Sequence, residues 1–346
     1  MSDAAGLNET QGAGIDPRAL AGSLKPFITP RPLRSFFELA ITLVPFLALI
    51  AAMLFALDAG YWIALALVPL AGFFLLRLFI IQHDCGHGAF LPSRRGNDWV
   101  GRALGVFTFT PYDCWKRGHA LHHASTGNLD QRGYGDVDTL TVREFHARSP
   151  LARWGYRLYR SPLVLLGVGP AYLFLLRHRL PIGLMRKGAK YWVSAMATNA
   201  VLLAILAGLA FAFGAGATAL VVVPTVLVAA AAGVLLFYVQ HQFEHAHWDA
   251  GENWQFHDAA LLGSSHLDLP QPLRWFSGNI GVHHVHHLAS RVPFYRLPEV
   301  MEANPALRDL NRMSVRETWQ QLGLTLWCEE TRRMISFEEA AQRPIA

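Results

Sequence analysis

The chain has 346 residues, 52% of them hydrophobic and only 16% charged, with a mean hydropathy of +0.24. Soluble domains carry about 25% charged residues, so this balance excludes an ordinary water-soluble globule and, except locally, disorder. A net charge of +5 hints at nucleic acid, but the 30 Lys and Arg form no clustered face, and no nucleic-acid partner is expected.

Residues 1–30 read as a flexible tail: they lack apolar periodicity, and no basic segment precedes a short apolar stretch as in a cleavable signal. Four apolar runs follow, at about 36–57, 61–81, 191–213 and 217–240. Each gives roughly 31–36 Å of helix at about 1.5 Å per residue, enough to cross a hydrocarbon core of about 30 Å. The links Asp58-Ala59-Gly60 and Gly214-Ala215-Gly216 fold the runs into two helical hairpins. A shorter run, 162–176, is broken by Gly and Pro and reads as interfacial or re-entrant. The expected fold is therefore an all-α integral membrane protein. One domain covers 31–346, with a helical cap formed by 82–190 and 241–346.

The basic residues orient this arrangement. Four precede the first span, sixteen lie between the hairpins and nine follow the last span, while the hairpin tips carry none. Positive residues stay on the cytoplasmic side, so both termini, the cap and any site built on it are expected there. The exception is Arg77, near the end of the second span, which is expected to snorkel to the headgroups. The cysteines, Cys85, Cys114 and Cys328, have no zinc or redox spacing and fit a reducing compartment.

Sixteen histidines are the second anomaly. His83 and His87 follow the second span and, four apart, share a helical face. His119, His122 and His123 share a face, as do His283, His286 and His287; His241 follows the fourth span directly. These nine fall on one side of the membrane by the charge count. Clustered neutral imidazoles are metal ligands first, and nine exceed what one ion takes, so two ions with four or five imidazoles each fit. Imidazole alone does not choose between iron, zinc, copper and nickel. Asp84 falls off the His83/His87 face and is not counted as a ligand. Asp113, Glu244 and Asp258 are candidates to orient ligating imidazoles. His146, His178, His247, His257, His266 and His284 have no partner spacing.

The three boxes, His83-Asp84-Cys85-Gly86-His87, His119-Ala120-Leu121-His122-His123 and His283-His284-Val285-His286-His287, separated by a hairpin, resemble the membrane fatty acid desaturase family. The resemblance runs from about Arg77 to Pro298. Trp115-Lys116 before the second box, then Thr126-Gly127-Asn128 and Asp136-Val137-Asp138-Thr139, are similar to the bacterial and plastid acyl-lipid type. The stretch around the second box looks like Δ12 or ω6 desaturases. Asn279-Ile280-Gly281 and Arg291-Val292-Pro293-Phe294-Tyr295 flank the third box in the same manner. Tyr238 to His245 is similar to the stretch that supplies one further ligand; His241 is favoured, and His245, four residues on, is the alternative.

The resemblance implies a non-haem di-iron centre held by the nine histidines, O₂ as co-substrate, and conversion of a CH₂–CH₂ pair in a lipid-linked acyl chain to a cis double bond. It also implies an apolar acyl tunnel. No flavin, haem or dinucleotide-binding segment is evident, so electrons are expected from a separate ferredoxin-like donor. A lipid or carotenoid hydroxylase or ketolase of the same superfamily is the runner-up. A membrane metal transporter or haem protein would place its ligands inside the spans, where none of the nine lies.

Overall fold

In the computed structural model, residues 16–133 and 135–343 are described. Order begins before the expected end of the tail. Asp16 caps helix α1 (Pro17–Ser23) by accepting from the Arg18 amide at 2.9 Å, and Pro17 suits the first helical position. Leu24 is then fully buried beside Val285, Leu288 and Leu297. Of the tail proposed from sequence, residues 1–15 lie outside the described residues, and 17–30 are built into the protein.

Helix α2 (Pro32–Asp58) turns through Ala59–Gly60 into a 3-10 segment, Trp62–Leu67, and then helix α3 (Val68–His87), which Gly88 ends in the left-handed region at φ +69°. Between the hairpins come α4 (Arg94–Phe107, capped by Ser93), α5 (Tyr112–Ser125) and α6 (Pro150–Tyr159, capped by Ser149). The second hairpin is α7 (Ala189–Phe213) and α8 (Ala215–His241), and the short helix α9 spans His283–Leu288. Four helices, Pro32–Asp58, Trp62–His87, Ala189–Phe213 and Ala215–His241, are long and apolar enough to cross a membrane, as expected from sequence. Large apolar side chains cover their outer faces, Phe211 being 95% exposed, an arrangement stable in lipid and not in water.

The inner faces explain the packing. α3 packs tightly on α8 at Gly72, where an added Cβ would stand 2.5 Å from Val228 Cγ1, so glycine fits there without displacing α8. Arg77 differs from expectation. It does not snorkel outward but is 2% exposed, paired with Glu38 of α2 at 2.5 Å and held 4.0 Å over the Trp275 ring, with the Trp275 carbonyl accepting its hydrogen bond. A carboxylate and a facing aromatic give the cation a dry, paired site that competes with the headgroups.

The protein is predominantly helical, and the described residues include five strands of two or three residues that periodicity did not reveal. β1 (Leu140–Thr141) runs parallel to β4 (Leu326–Cys328), itself antiparallel to β5 (Arg333–Ile335); β2 (His266–Asp268) runs parallel to β3 (Arg312–Ser314). The β1–β4 pair ties the inter-hairpin segment to the C-terminal segment, and the other pairs lie within the C-terminal segment. After α6 the chain bends by 57° into Val164–Arg179, which includes residues 164–176 of the run 162–176 anticipated as interfacial or re-entrant. Topology supports that reading. The far ends of α3 and α8 meet at one site, and α7 and α8 already supply one crossing each way; a third full crossing would leave the two ends on opposite sides.

Candidate metal centre

The last turn of α3 carries His83 and His87, α5 carries His119, His122 and His123, α8 ends on His241, and α9 carries His283, His286 and His287. The structure brings all nine together, in two groups that cut across the sequence boxes. One contains His83, His87, His119, His123 and His286; the other His122, His241, His283 and His287. In each group the donor atoms lie within 4.8 Å of one another. Helical geometry explains the division. In α5 the residues four apart, His119 and His123, point to the first group and His122 to the second; in α9 His283 and His287 point to the second and His286 to the first. α5 and α9 thus lie between the two groups and serve both. The His123 and His287 rings stack 4.1 Å apart, so the groups are adjacent.

The donor set fits a metal. Nε2 of His119 is 2.9 Å from that of His87 and 3.1 Å from that of His123, and His123 is 3.1 Å from His286. In the second group His241 and His283 are 3.0 Å apart, His122 and His287 3.3 Å. Nitrogens bound about 2.1 Å from one ion stand about 3.0–3.4 Å apart in octahedral or tetrahedral arrangements, and these separations match such edges. Neither group includes a carboxylate among the described residues. Burial, reinforced by neighbouring imidazoles, holds His119, His123, His283, His286 and His287 well below the ordinary histidine range. They are therefore neutral, with lone pairs free to bind metal.

The outer nitrogens show which acceptors sequence reasoning missed. The Asp136 carboxylate lies against Nδ1 of His122. Asp84 places one oxygen 3.5 Å from Nδ1 of His83 while the other accepts from the Phe294 amide at 2.7 Å. The carbonyl of Gly263 is 3.4 Å from Nδ1 of His241. The three acceptors chosen by nearness in sequence are occupied elsewhere: Asp113 pairs with Arg102 and Lys190, Glu244 with Arg333, and Asp258 lies near His247. Asp136 is thirteen residues from His123 and reaches the site only because the loop before β1 folds back; its place in the Asp136-to-Thr139 motif was the one available signal. His241, the favoured member of its pair, joins the second group and His245 does not. The six histidines without partner spacing also lie outside both groups; His284, for example, is 3.0 Å from the Leu307 carbonyl.

The sequence model of the fatty acid desaturase family matches residues 60–319, three quarters of the chain and all four histidine segments. The chain belongs to the fatty acid desaturase family. A fatty acid desaturase of Bacillus subtilis is 38% identical over 331 residues, covering 95% of this chain and 93% of that protein. An sn-1 acyl-lipid omega-3 desaturase (ferredoxin) of Synechocystis is 31% identical over 263 residues, 72% of this chain and 70% of that protein. A chloroplastic omega-3 fatty acid desaturase of Glycine max is 28% identical over 70% of this chain and 53% of that protein. Family membership makes the protein an oxidoreductase of lipid metabolism.

In this desaturase the site is walled by aromatics. Trp115 stacks on His119 at 4.6 Å, and Phe237 faces His122 at 5.0 Å and His241 at 5.2 Å. The cavity against His241, Phe237, Val137 and Trp248 is about 10 Å³, room for roughly one water. Phe237 thus lines this cavity beside both His122 and His241 of the second group.

Proposed function

We propose that this protein is an O₂-dependent acyl-lipid desaturase that introduces a cis double bond using two iron ions. His83, His87, His119, His123 and His286 would hold one ion; His122, His241, His283 and His287 would hold the other. The observation that carries this reading is the pair of adjacent, carboxylate-free imidazole groups at the ends of two membrane helices. Bound iron would supply the reduction of O₂ and the removal of two hydrogens from neighbouring CH₂ groups. The acyl chain provides one pair of electrons and an external donor the other, so O₂ leaves as water.

The protein's own contribution is positional. Nine imidazoles fix the donor geometry, with Asp136 and Asp84 set beside the outer nitrogens of His122 and His83. Trp115 and Phe237 exclude water from the reacting carbon. The membrane ends of α3 and α8 let an acyl tail arrive from the leaflet. The basic bias of the inter-hairpin and C-terminal segments supports a cytoplasmic site and an acidic, ferredoxin-like donor, and the Synechocystis relative bears ferredoxin in its name.

Gas chromatography and mass spectrometry of fatty acids from a host expressing the chain, with and without a co-expressed ferredoxin, tests the proposal. Expected is a new cis-unsaturated acyl chain, increased by the donor, whose position is read from its fragments. An alcohol or ketone product would instead establish the hydroxylase or ketolase reading.

A further inference from the structure

Helix α6 presents the wrong face to water. Its buried face carries Tyr156 and Arg160. Arg160 donates to the Tyr238 hydroxyl at 3.0 Å and to Gln242 Oε1 at 2.8 Å, which fixes α6 at the site end of α8. The opposite face carries Leu151, Trp154 and Leu158, 77%, 61% and 46% exposed. Their i, i+3, i+7 spacing makes one apolar stripe directed away from the protein.

Two further observations say what covers it. First, the stripe runs on past the bend into exposed Leu163, Val168, Tyr172 and Leu176. That segment packs Leu165 and Leu166 against Leu235 and Leu236, and Phe174 near Phe79, so it lies at the depth where α3 and α8 end. The stripe is therefore continuous with the lipid-facing surface. Second, Arg148, Arg153 and Arg157 accompany the stripe. Among the described residues none of the three pairs with a carboxylate; Arg157 lies over the Phe337 ring at 4.8 Å and Arg148 over Tyr156 at 6.0 Å. Apolar residues on one face, flanked by unneutralised arginines, are what an anionic leaflet surface binds.

We propose that α6 lies in the headgroup layer on the site side of the membrane and binds anionic phospholipid. Leu151, Trp154 and Leu158 enter the acyl boundary, and the arginines meet lipid phosphates. Through Arg160 the opposite face of the same helix holds the end of α8 and, via the Asp138 carbonyl at 3.0 Å, the loop that carries Asp136.

The test uses the full chain in lipid nanodiscs. The chain has ten tryptophans, so the Trp154 signal is taken as the difference between the unmodified protein and Trp154→Phe. That difference is expected to be quenched by phospholipids brominated near the acyl carbonyl and spared by aqueous iodide. In nanodiscs of equal phosphatidylglycerol and phosphatidylcholine, native mass spectrometry should show phosphatidylglycerol preferentially retained. Arg148→Gln with Arg153→Gln should reduce that preference by about fivefold per charge removed, from about 1 kcal/mol per surface cation. Quenching of Trp154 by iodide instead of brominated lipid, or equal retention of the two lipids by the unmodified protein, overturns the proposal.

Discussion

Asp136 shows how one residue outside the histidine pattern acts on the site. Its carboxylate lies against the outer nitrogen of buried His122, where it can fix the ring's tautomer and raise the basicity of the nitrogen that faces the histidine group. Asp136→Asn keeps the shape and removes the charge. Metal affinity of the four-histidine group should fall about 10- to 100-fold while the five-histidine group is unaffected, and a metal titration of the purified protein reads the two separately. The nine clustered histidines were legible because helical spacing is local. Asp136 and Asp84 were not, because the acceptor of an imidazole proton is chosen by tertiary contact; Asp113, near in sequence, is held by Arg102 and Lys190 instead.

The helices were legible where lipid dictates composition: all four spans lie where apolar length put them. The contacts between helices were less so. Arg77 looked like a residue reaching for the headgroups because sequence does not show that Glu38, on another span, faces it. That pair now ties α2 to α3. Breaking a buried ion pair strands a charge and costs about 3–5 kcal/mol. Glu38→Gln should therefore lower the thermal aggregation temperature of the detergent-solubilised protein markedly, and Glu38→Gln with Arg77→Met should recover part of the loss. An unchanged melt in the single variant would show that the pair carries no stability. The short strands escaped notice because pairs of two or three residues have no period to read.

At the scale of the whole molecule, two hairpins bring the ends of α3 and α8 together, and the water-side segments supply α5 and α9 between them. The histidines that cluster were legible in the boxes but their partition was not, because α5 and α9 divide their histidines between both groups. This packing of neutral imidazoles has a pH signature. His119, His123, His283, His286 and His287 titrate below the ordinary value near 6.5 when folded. Below about pH 6.5 the unfolded chain takes up protons that the folded chain refuses, so stability is present above that pH and lost as pH falls. The metal-free protein should melt at a clearly lower temperature at about pH 5.5 than at about pH 8. Equal melting of the metal-free protein at both values would contradict neutral burial of the cluster. The central claim, two adjacent ions each in its own imidazole group, is tested most directly by counting metal per chain in purified protein and in two variants. About two irons per chain are expected, with selective loss of one from His241→Ala in the four-histidine group and of the other from His87→Ala in the five-histidine group. A single iron, or metal content unchanged by both substitutions, would contradict it.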